Sequence, residues 1–439
     1  MRITASEVAL ATGGTLMGTD ISANGISFDS RAMLEHQAFV AIRGDRDGHD
    51  FLNDAIHNGA AFVIVEIGRS LPNVTSVEVA DTVAALAVLG RHCRRRLSRT
   101  LQGRVIGITG SVGKTSTKDL VRAVLASEYV HTHAPEKSLN NDIGVPVTII
   151  NAPDECDALV VEMGMRGFGE IARLCEIALP HIGVITAIGD AHAERVGGVS
   201  GVVKAKAELL NSLPADGTAV VNVDSELVMA TAKDSQAQRI TFGRSHAADV
   251  RWELLSTNRQ SASRVRFTYQ GVSADGDVPL IGEHMVSNAA AAIAVGVSVG
   301  IPLAQCVRAL DAVVPAPQRM QWRVGRSGVR ILDDSYNANS LSMFAAIETL
   351  AELDASRKIA VLGLMAEVND AKNAHAAVAM LCEQKGVELL ALETSEYGTL
   401  ALALDEIIHL LDDLDDSVVI LVKGSRVAAV ERIVQALAD

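Results

Sequence analysis

Residues 107–115 read Gly107-Ile108-Thr109-Gly110-Ser111-Val112-Gly113-Lys114-Thr115, a glycine-rich stretch between an apolar run and an amphipathic one that reaches about Ala126. Glycines let a backbone wrap phosphate oxygens, and the first turn of a helix offers N–H groups that have no partner of their own. From that position Lys114 can reach terminal phosphates and the Thr115 hydroxyl can ligate Mg²⁺. Gly110, Ser111, Val112, Gly113, Lys114, Thr115 and Ser116 are therefore the candidate phosphate-binding residues. The stretch departs from the strict G-x-x-x-x-G-K-[ST] form, which would need glycine at Ile108, and its strand–loop–helix setting compensates. The bland alternative is a glycine-rich turn carrying a solvated lysine.

Two further residues follow apolar runs. Glu162 closes the run 158–161, and His192 comes soon after the run 182–188. In a parallel sheet ligands gather at the carboxyl edges of the strands, so both belong beside the phosphate loop. A hard carboxylate oxygen and an imidazole there suit Mg²⁺ or Mn²⁺. Taken singly, Glu162 reads equally well as a charge at a helix start, and His192 as a hydrogen-bonded loop residue. Lys204 and Lys206 lie on the helix that follows, and periodicity alone makes both of them solvated face residues.

The elements that must position these side chains repeat a pattern. The runs 105–109, 158–161 and 182–188 are separated by helical sequence, and the runs 329–332, 359–362, 387–391 and 418–422 repeat the alternation nearer the end. That predicts an α/β fold with parallel sheets. At 439 residues the chain is too long for one core and divides best into three units. A basic stretch, 91–96, precedes the strand run after Gly103, and Pro315 and Pro317 disfavour helix on the residues before them. These signals predict units at 1–100, 101–314 and 315–439. Thr4 and Glu7 have capping-box spacing and Gly13-Gly14 stops the segment, so the N-terminal stretch reads as an ordinary helix rather than a signal peptide.

Composition limits what the chain can do. With 39 Lys and Arg against 53 Asp and Glu, the net charge is -14, which repels phosphate polymers and argues against a nucleic-acid partner. A nucleotide must be held by local devices instead. The five cysteines are widely spaced with no Cys-x-x-Cys pair, as expected of reduced thiols in the cytoplasm. The most apolar run, 289–299, is broken by Gly296 and Ser298 and is well short of the ~20 residues that span a bilayer. It predicts a buried Ala-rich helix.

Several segments taken together resemble the Mur ligases. They are the loop 109–119, Asn140-Asn141-Asp142-Ile143-Gly144-Val145-Pro146, Glu162-Met163-Gly164-Met165, Gly189-Asp190-Ala191-His192 and Ala205-Lys206. Outside this block stand Asp29-Ser30-Arg31, Asp47-Gly48-His49, Asn288 with its alanines, Asp333-Asp334-Ser335-Tyr336-Asn337-Ala338-Asn339, and Lys423-Gly424-Ser425-Arg426. The last two segments resemble the members that add D-alanyl-D-alanine to a UDP-N-acetylmuramoyl-tripeptide.

The resemblance implies three domains: a first for the UDP end of the substrate, a central P-loop domain for ATP, and a Rossmann-like third that closes over both. Ser30, Arg31, Asp47, Gly48 and His49 would meet the UDP-sugar, and Asn141 the substrate. Lys114 and Thr115 would hold phosphates and Mg²⁺ with Glu162 and His192. Lys206 would be the lysine that the family carbamylates for a second metal, against the surface reading above. Asn288 would face adenine, Arg319 and Asp334 the nucleotide, and Tyr336, Asn337 and Asn339 the nucleotide or dipeptide. The implied chemistry is ATP-dependent amide formation through an acyl phosphate, with Lys114, Lys206 and His192 as catalytic residues in a monomeric enzyme.

The chain departs from the family pattern at Ser340, where proline usually stands, and at Asn369, Asp190 and Gln318, changes that bear on dipeptide specificity and loop shape. Two alternatives stay open. One is another amide ligase of the superfamily, an amino-acid-adding or folylpolyglutamate synthetase-like enzyme. The other is a P-loop regulatory ATPase, disfavoured by the lack of an Asn-Lys-x-Asp motif and by the polar strand ends of the third unit.

Overall fold

The computed structural model describes residues 1–191, 193–258, 262–368 and 370–438. His192 and Asn369 lie outside the described residues.

Near the N-terminus the helix Ala5–Thr12 begins where the Thr4 side chain accepts the Glu7 N–H and ends on Gly13 in a left-handed conformation, as the spacing predicts. A five-stranded sheet follows in the order Thr15–Met17, Ser76–Val79, Val63–Glu66, Ala38–Val40, Ile26–Ser27, parallel except at its first pair. The helix Thr82–Arg96 then packs on Gly144–Ile150, so closely that a Cβ on Gly90 would stand 2.8 Å from Pro146.

Polar ties fasten this first unit to the next. The Asn151 amide accepts the Ile26 N–H at 2.8 Å and donates to the Ile26 carbonyl at 3.0 Å. Arg94, buried, donates to the carbonyls of Ala178 and Leu179. The basic run 91–96 thus does structural work in part. Each such bond contributes about 0.5–1.5 kcal/mol net, and far more is lost when one partner is removed and the other stays buried.

The middle unit is a nine-stranded sheet. Its parallel part runs Val250–Asn258, Gln238–Gly243, Thr218–Asn222, Ile182–Ile185, Val105–Thr109, Ala158–Glu162, Thr132–His133, and an antiparallel ribbon of Ala262–Tyr269 and Val272–Val278 extends it. The central strands are wholly buried and rich in Val and Ile, as a sheet covered on both faces requires. On one face lie Lys114–Ala126 and Glu283–Ser298, whose buried residues 289–294 form the expected Ala-rich helix.

The strand expected over 182–188 stops at Ile185. Beyond it the backbone turns to serve the neighbouring loop: the Thr186 hydroxyl donates to the Val112 carbonyl and the Ser111 N–H to the Ala187 carbonyl.

The third sheet runs Gln321–Val324, Arg330–Asp334, Val418–Lys423, Arg357–Leu362, Glu388–Leu392, Ala401–Leu402, parallel except at its first pair. Asp334 pairs with Lys423, and Lys423 with Leu362, so three strands end in line. Among the described residues no helix is long and apolar enough to cross a membrane. All five cysteines are free and buried.

Candidate active site

Strand Val105–Thr109 runs into the phosphate loop and helix Lys114–Ala126 leaves it. Gly113 caps that helix at φ 82°, a left-handed conformation, and a Cβ there would come within 2.8 Å of the Asn288 side chain. Asn288 is buried and faces the loop. Lys114 folds back so that its ammonium donates to the Gly110 carbonyl at 2.7 Å. Ser116 is buried one residue beyond Thr115.

Glu162 pairs in register with Ile108, which brings its carboxylate beside the start of that helix. The Thr115 hydroxyl donates to Glu162 Oε2 at 3.0 Å and the Asn140 amide donates to Oε1 at 2.9 Å. Ser138 Oγ lies 3.0 Å from the same Thr115 oxygen. A carboxylate and two hydroxyls within one shell form a hard oxygen set of the kind Mg²⁺ takes. Ser138 was not singled out in the sequence, and Asn140 stood there only as part of a resembling segment, with no role of its own. Their signal is weak, because small polar residues in a loop gain meaning only once register brings Glu162 beside them.

Lys204 and Lys206 part company on their helix, Val199–Asn211: Lys204 is exposed and Lys206 is buried, at 3 % relative exposure. Lys206 has no hydrogen bond or ion pair among the described residues. Burial holds its amine well below the usual lysine value, and the neighbouring Lys114 charge lowers it further. Lys114 is itself depressed, first by burial. Glu162 opposes that shift, Arg319 adds to it, and Glu367 opposes it. Two side chains of the third unit thus act on the lysine of the phosphate loop.

At the edge of the third sheet Lys423 is buried and donates to Asp334 at 2.5 Å and to the Asn337 carbonyl at 2.9 Å. Arg319 stacks over the Tyr336 ring at 4.0 Å, a cation–π contact. His284 stands one turn before Asn288 on the same helix. Burial pushes its ring down to about 4, with Asp334 raising and Lys423 lowering it.

Several polar residues expected at the substrate serve the fold with part of their capacity. Asn339 caps the helix Ser340–Glu352, and Asn141 Oδ1 accepts the N–H groups of Ile143 and Gly144. His49 Nδ1 binds Asp47 at 2.6 Å while its Nε2 accepts the Glu66 N–H at 3.0 Å, so both ring nitrogens are taken. The His49 backbone N–H, and next its ring, hold Asp47 down to about 2. A Cβ on Gly48 would stand 2.6 Å from the Ile42 nitrogen, so only glycine fits. Ser30 is buried, whereas the exposed Arg31 pairs with Asp29 at 2.9 Å. The bond to Arg31 lowers the Asp29 carboxyl first, and the charge of Lys137, next to Ser138, adds to it, so this end of the first unit borders the segment that meets Thr115.

Comparison with known proteins places this geometry. Family models described as Mur ligase family, catalytic domain, Mur ligase middle domain, and Mur ligase, glutamate ligase domain match residues 22–94, 108–296 and 318–438. The UDP-N-acetylmuramoyl-tripeptide–D-alanyl-D-alanine ligase of Escherichia coli K12 is 33% identical, covering 100% of this chain and 98% of its own length. The chain belongs to the Mur ligase family. A crystal structure of MurF from Acinetobacter baumannii matches with a TM-score of 0.85 at 29% identity, over 100% of this chain and 99% of that one. MurF ligase from Thermotoga maritima in complex with ADP matches at 0.79 and 26%, over 94% and 97%. As a Mur ligase the chain is an ATP-dependent, ADP-forming amide ligase.

Proposed function

We propose that this Mur ligase joins D-alanyl-D-alanine to UDP-N-acetylmuramoyl-tripeptide in peptidoglycan precursor synthesis, working in the cytoplasm as a monomer. Relatives that carry that activity in their names match over nearly the whole chain. The observation that carries the reading is the setting of Lys114, which lies in the fields of Glu162 on its own sheet and of Arg319 and Glu367 from the third. Phosphates placed there lie between the two units. We also propose domain boundaries near residues 100 and 315.

A peptide carboxylate resists attack by an amine until its oxygen becomes a good leaving group. The γ-phosphoryl of ATP is therefore moved onto that oxygen. The amine of the dipeptide then attacks the carbonyl carbon, and the C–O bond to phosphate breaks. Lys114, held by the loop it serves, offsets repulsion between the two anions and the charge of the transition state. Asn288, whose side chain borders Gly113, would face adenine, and Arg319 and Asp334 would meet the nucleotide from the third unit. Tyr336, Asn337 and Asn339 would meet the nucleotide or the dipeptide, and Ser30, Arg31 and the loop 47–49 the UDP end.

Mg²⁺ or Mn²⁺ fits the oxygen set of Thr115 and Glu162, with His192 as a further partner, and would neutralise phosphate charge. Lys206 fits a second role. A buried amine with a depressed pKa and a cationic neighbour is held neutral and can add to CO₂: its nitrogen bonds the carbon, one N–H proton leaves to solvent, and the neutral amine becomes an anionic carbamate in the field of Lys114.

Mass analysis of the product formed from ATP, a UDP-muramoyl-tripeptide and D-alanyl-D-alanine tests the reading. An amide of the summed mass less water is expected. Product only with a single amino acid, or with a pteroate-type acceptor, would move the chain to a sister activity. ATP turnover independent of any carboxylate and amine would make it a regulatory ATPase.

A further inference from the structure

After strand Ile182–Ile185 the chain meets the third unit at a polar contact, where the Ser340 hydroxyl donates to the Asp190 carboxylate at 2.7 Å. Ser340 opens the helix Ser340–Glu352, whose cap is Asn339. The carboxylate therefore sits at the helix end that favours negative charge. Beside it the Leu341 side chain packs on Gly189, 3.4 Å from where a Cβ would stand. On the other side of the same loop the Gly189 N–H donates to the Ser111 hydroxyl at 3.0 Å, and the Ser111 N–H donates to the Ala187 carbonyl at 2.8 Å. A hydrogen-bonded route thus runs from the phosphate loop, through 187–190, to the helix that follows Tyr336 and Asn337.

We infer that Asp190 and Ser340 form a clasp that positions the third unit for the amine-attack half of the reaction. The inference rests on the ligase reading above. Phosphoryl transfer draws chiefly on the phosphate loop, Thr115 and Glu162, all of the middle unit. Amine attack needs segment 334–339 pressed against that centre, because an acyl phosphate left open to water is lost. In that side reaction a water oxygen bonds the carbonyl carbon, the C–O bond to phosphate breaks, and the carboxylate and inorganic phosphate are regenerated. Two positions that depart from the family pattern, one in each unit, are here partners. A proline at 340 has no hydroxyl to give.

The test measures phosphate and amide together in the full-length protein with saturating ATP and tripeptide. The wild type should release about one phosphate per amide. Ser340→Ala and Asp190→Ala should each raise that ratio and the KM for the dipeptide about fivefold, the size of one lost hydrogen bond. The KM for ATP should change less than that for the dipeptide, the double variant should be no worse than either single one, and Ser340→Thr should keep the ratio near one because it keeps the hydroxyl. Ser340→Ala leaves the 187–192 loop itself intact, so its result stands apart from any disturbance of the metal site. A ratio of one in both single variants, or effects that simply add in the double, would overturn the clasp. A wild-type protein that makes no amide would overturn the ligase reading instead.

Discussion

The Thr115 hydroxyl and the Glu162 carboxylate, 47 positions apart in the chain, lie 3.0 Å from each other at the edge of one sheet. Asn140 holds the other carboxylate oxygen, so the orientation of Glu162 is set from both sides. Loss of an outer partner of this kind lowers metal affinity by about 10–100-fold. Asn140→Ala should therefore raise the Mg²⁺ concentration needed for half-maximal turnover by that factor while leaving kcat at saturating metal nearly unchanged. A titration of activity against Mg²⁺ that overlays the wild type would refute the role.

Lys114 is the cation nearest the proposed phosphates. Lys114→Ala should lower kcat by on the order of 10²–10³, the usual loss when one charge-stabilising group is removed. Binding of the UDP-substrate, measured by calorimetry, should persist, because the residues proposed for its UDP end, within 30–49, belong to the first unit and not to the loop. Near-normal turnover would dismiss the assignment.

Lys206 carries an opposed pair of expectations. Its buried amine lacks an anionic partner among the described residues, so Lys206→Met should raise Tm by about 2 °C or more. The cost tested there is that of a buried amine with no hydrogen bond, not of a charge; the same site, if it works as a carbamate, should fail on Lys206→Ala and regain part of its activity with short carboxylic acids. A fully active Lys206→Ala protein would count against the metal role, and a lowered Tm in Lys206→Met against the cost of the unbonded amine.

His284 should make the fold sensitive to mild acid. Its ring is pushed down to about 4 in the folded chain, against ~6.5 when unfolded. Between those values the unfolded chain binds a proton that the folded one refuses, so stability falls as pH drops from about 6.5 to about 4 and the effect is complete below. His284→Gln, which cannot titrate, should show a smaller drop in Tm across that window and a difference from wild type that is constant above pH 7. Parallel curves through the window would exclude the histidine as the cause.

Much of this was legible in residue order. The loop 107–115 announced strand, loop and helix because glycine and lysine types there have few other uses, and alternating apolar runs announced the parallel sheets. Thr4 and Gly13 marked helix ends that local chemistry alone decides. What stayed hidden depends on tertiary packing. Lys204 and Lys206 differ by two positions and look alike in sequence, yet the fold buries only one. His49, Asn141 and Asn339 looked free to meet substrate, and parts of each turned out to close a turn or cap a helix, since short polar side chains suit both tasks. The strand over 182–188 lost its last residues because Thr186 and Ala187 are drawn into bonds with the phosphate loop.

Asn151 and Arg94 have a consequence for which peptides can react. By tying the first unit to the middle sheet they would make the separation between the proposed UDP end and the phosphate loop a gauge. An extended peptide grows by at most ~3.3–3.6 Å per residue, while reacting atoms must approach within about 3–3.5 Å. A precursor one residue short or long would present its carboxylate a full step away from the γ-phosphoryl. On that reading substrate length would be set by the seam between the two units, with no side chain needed to recognise the missing or extra residue.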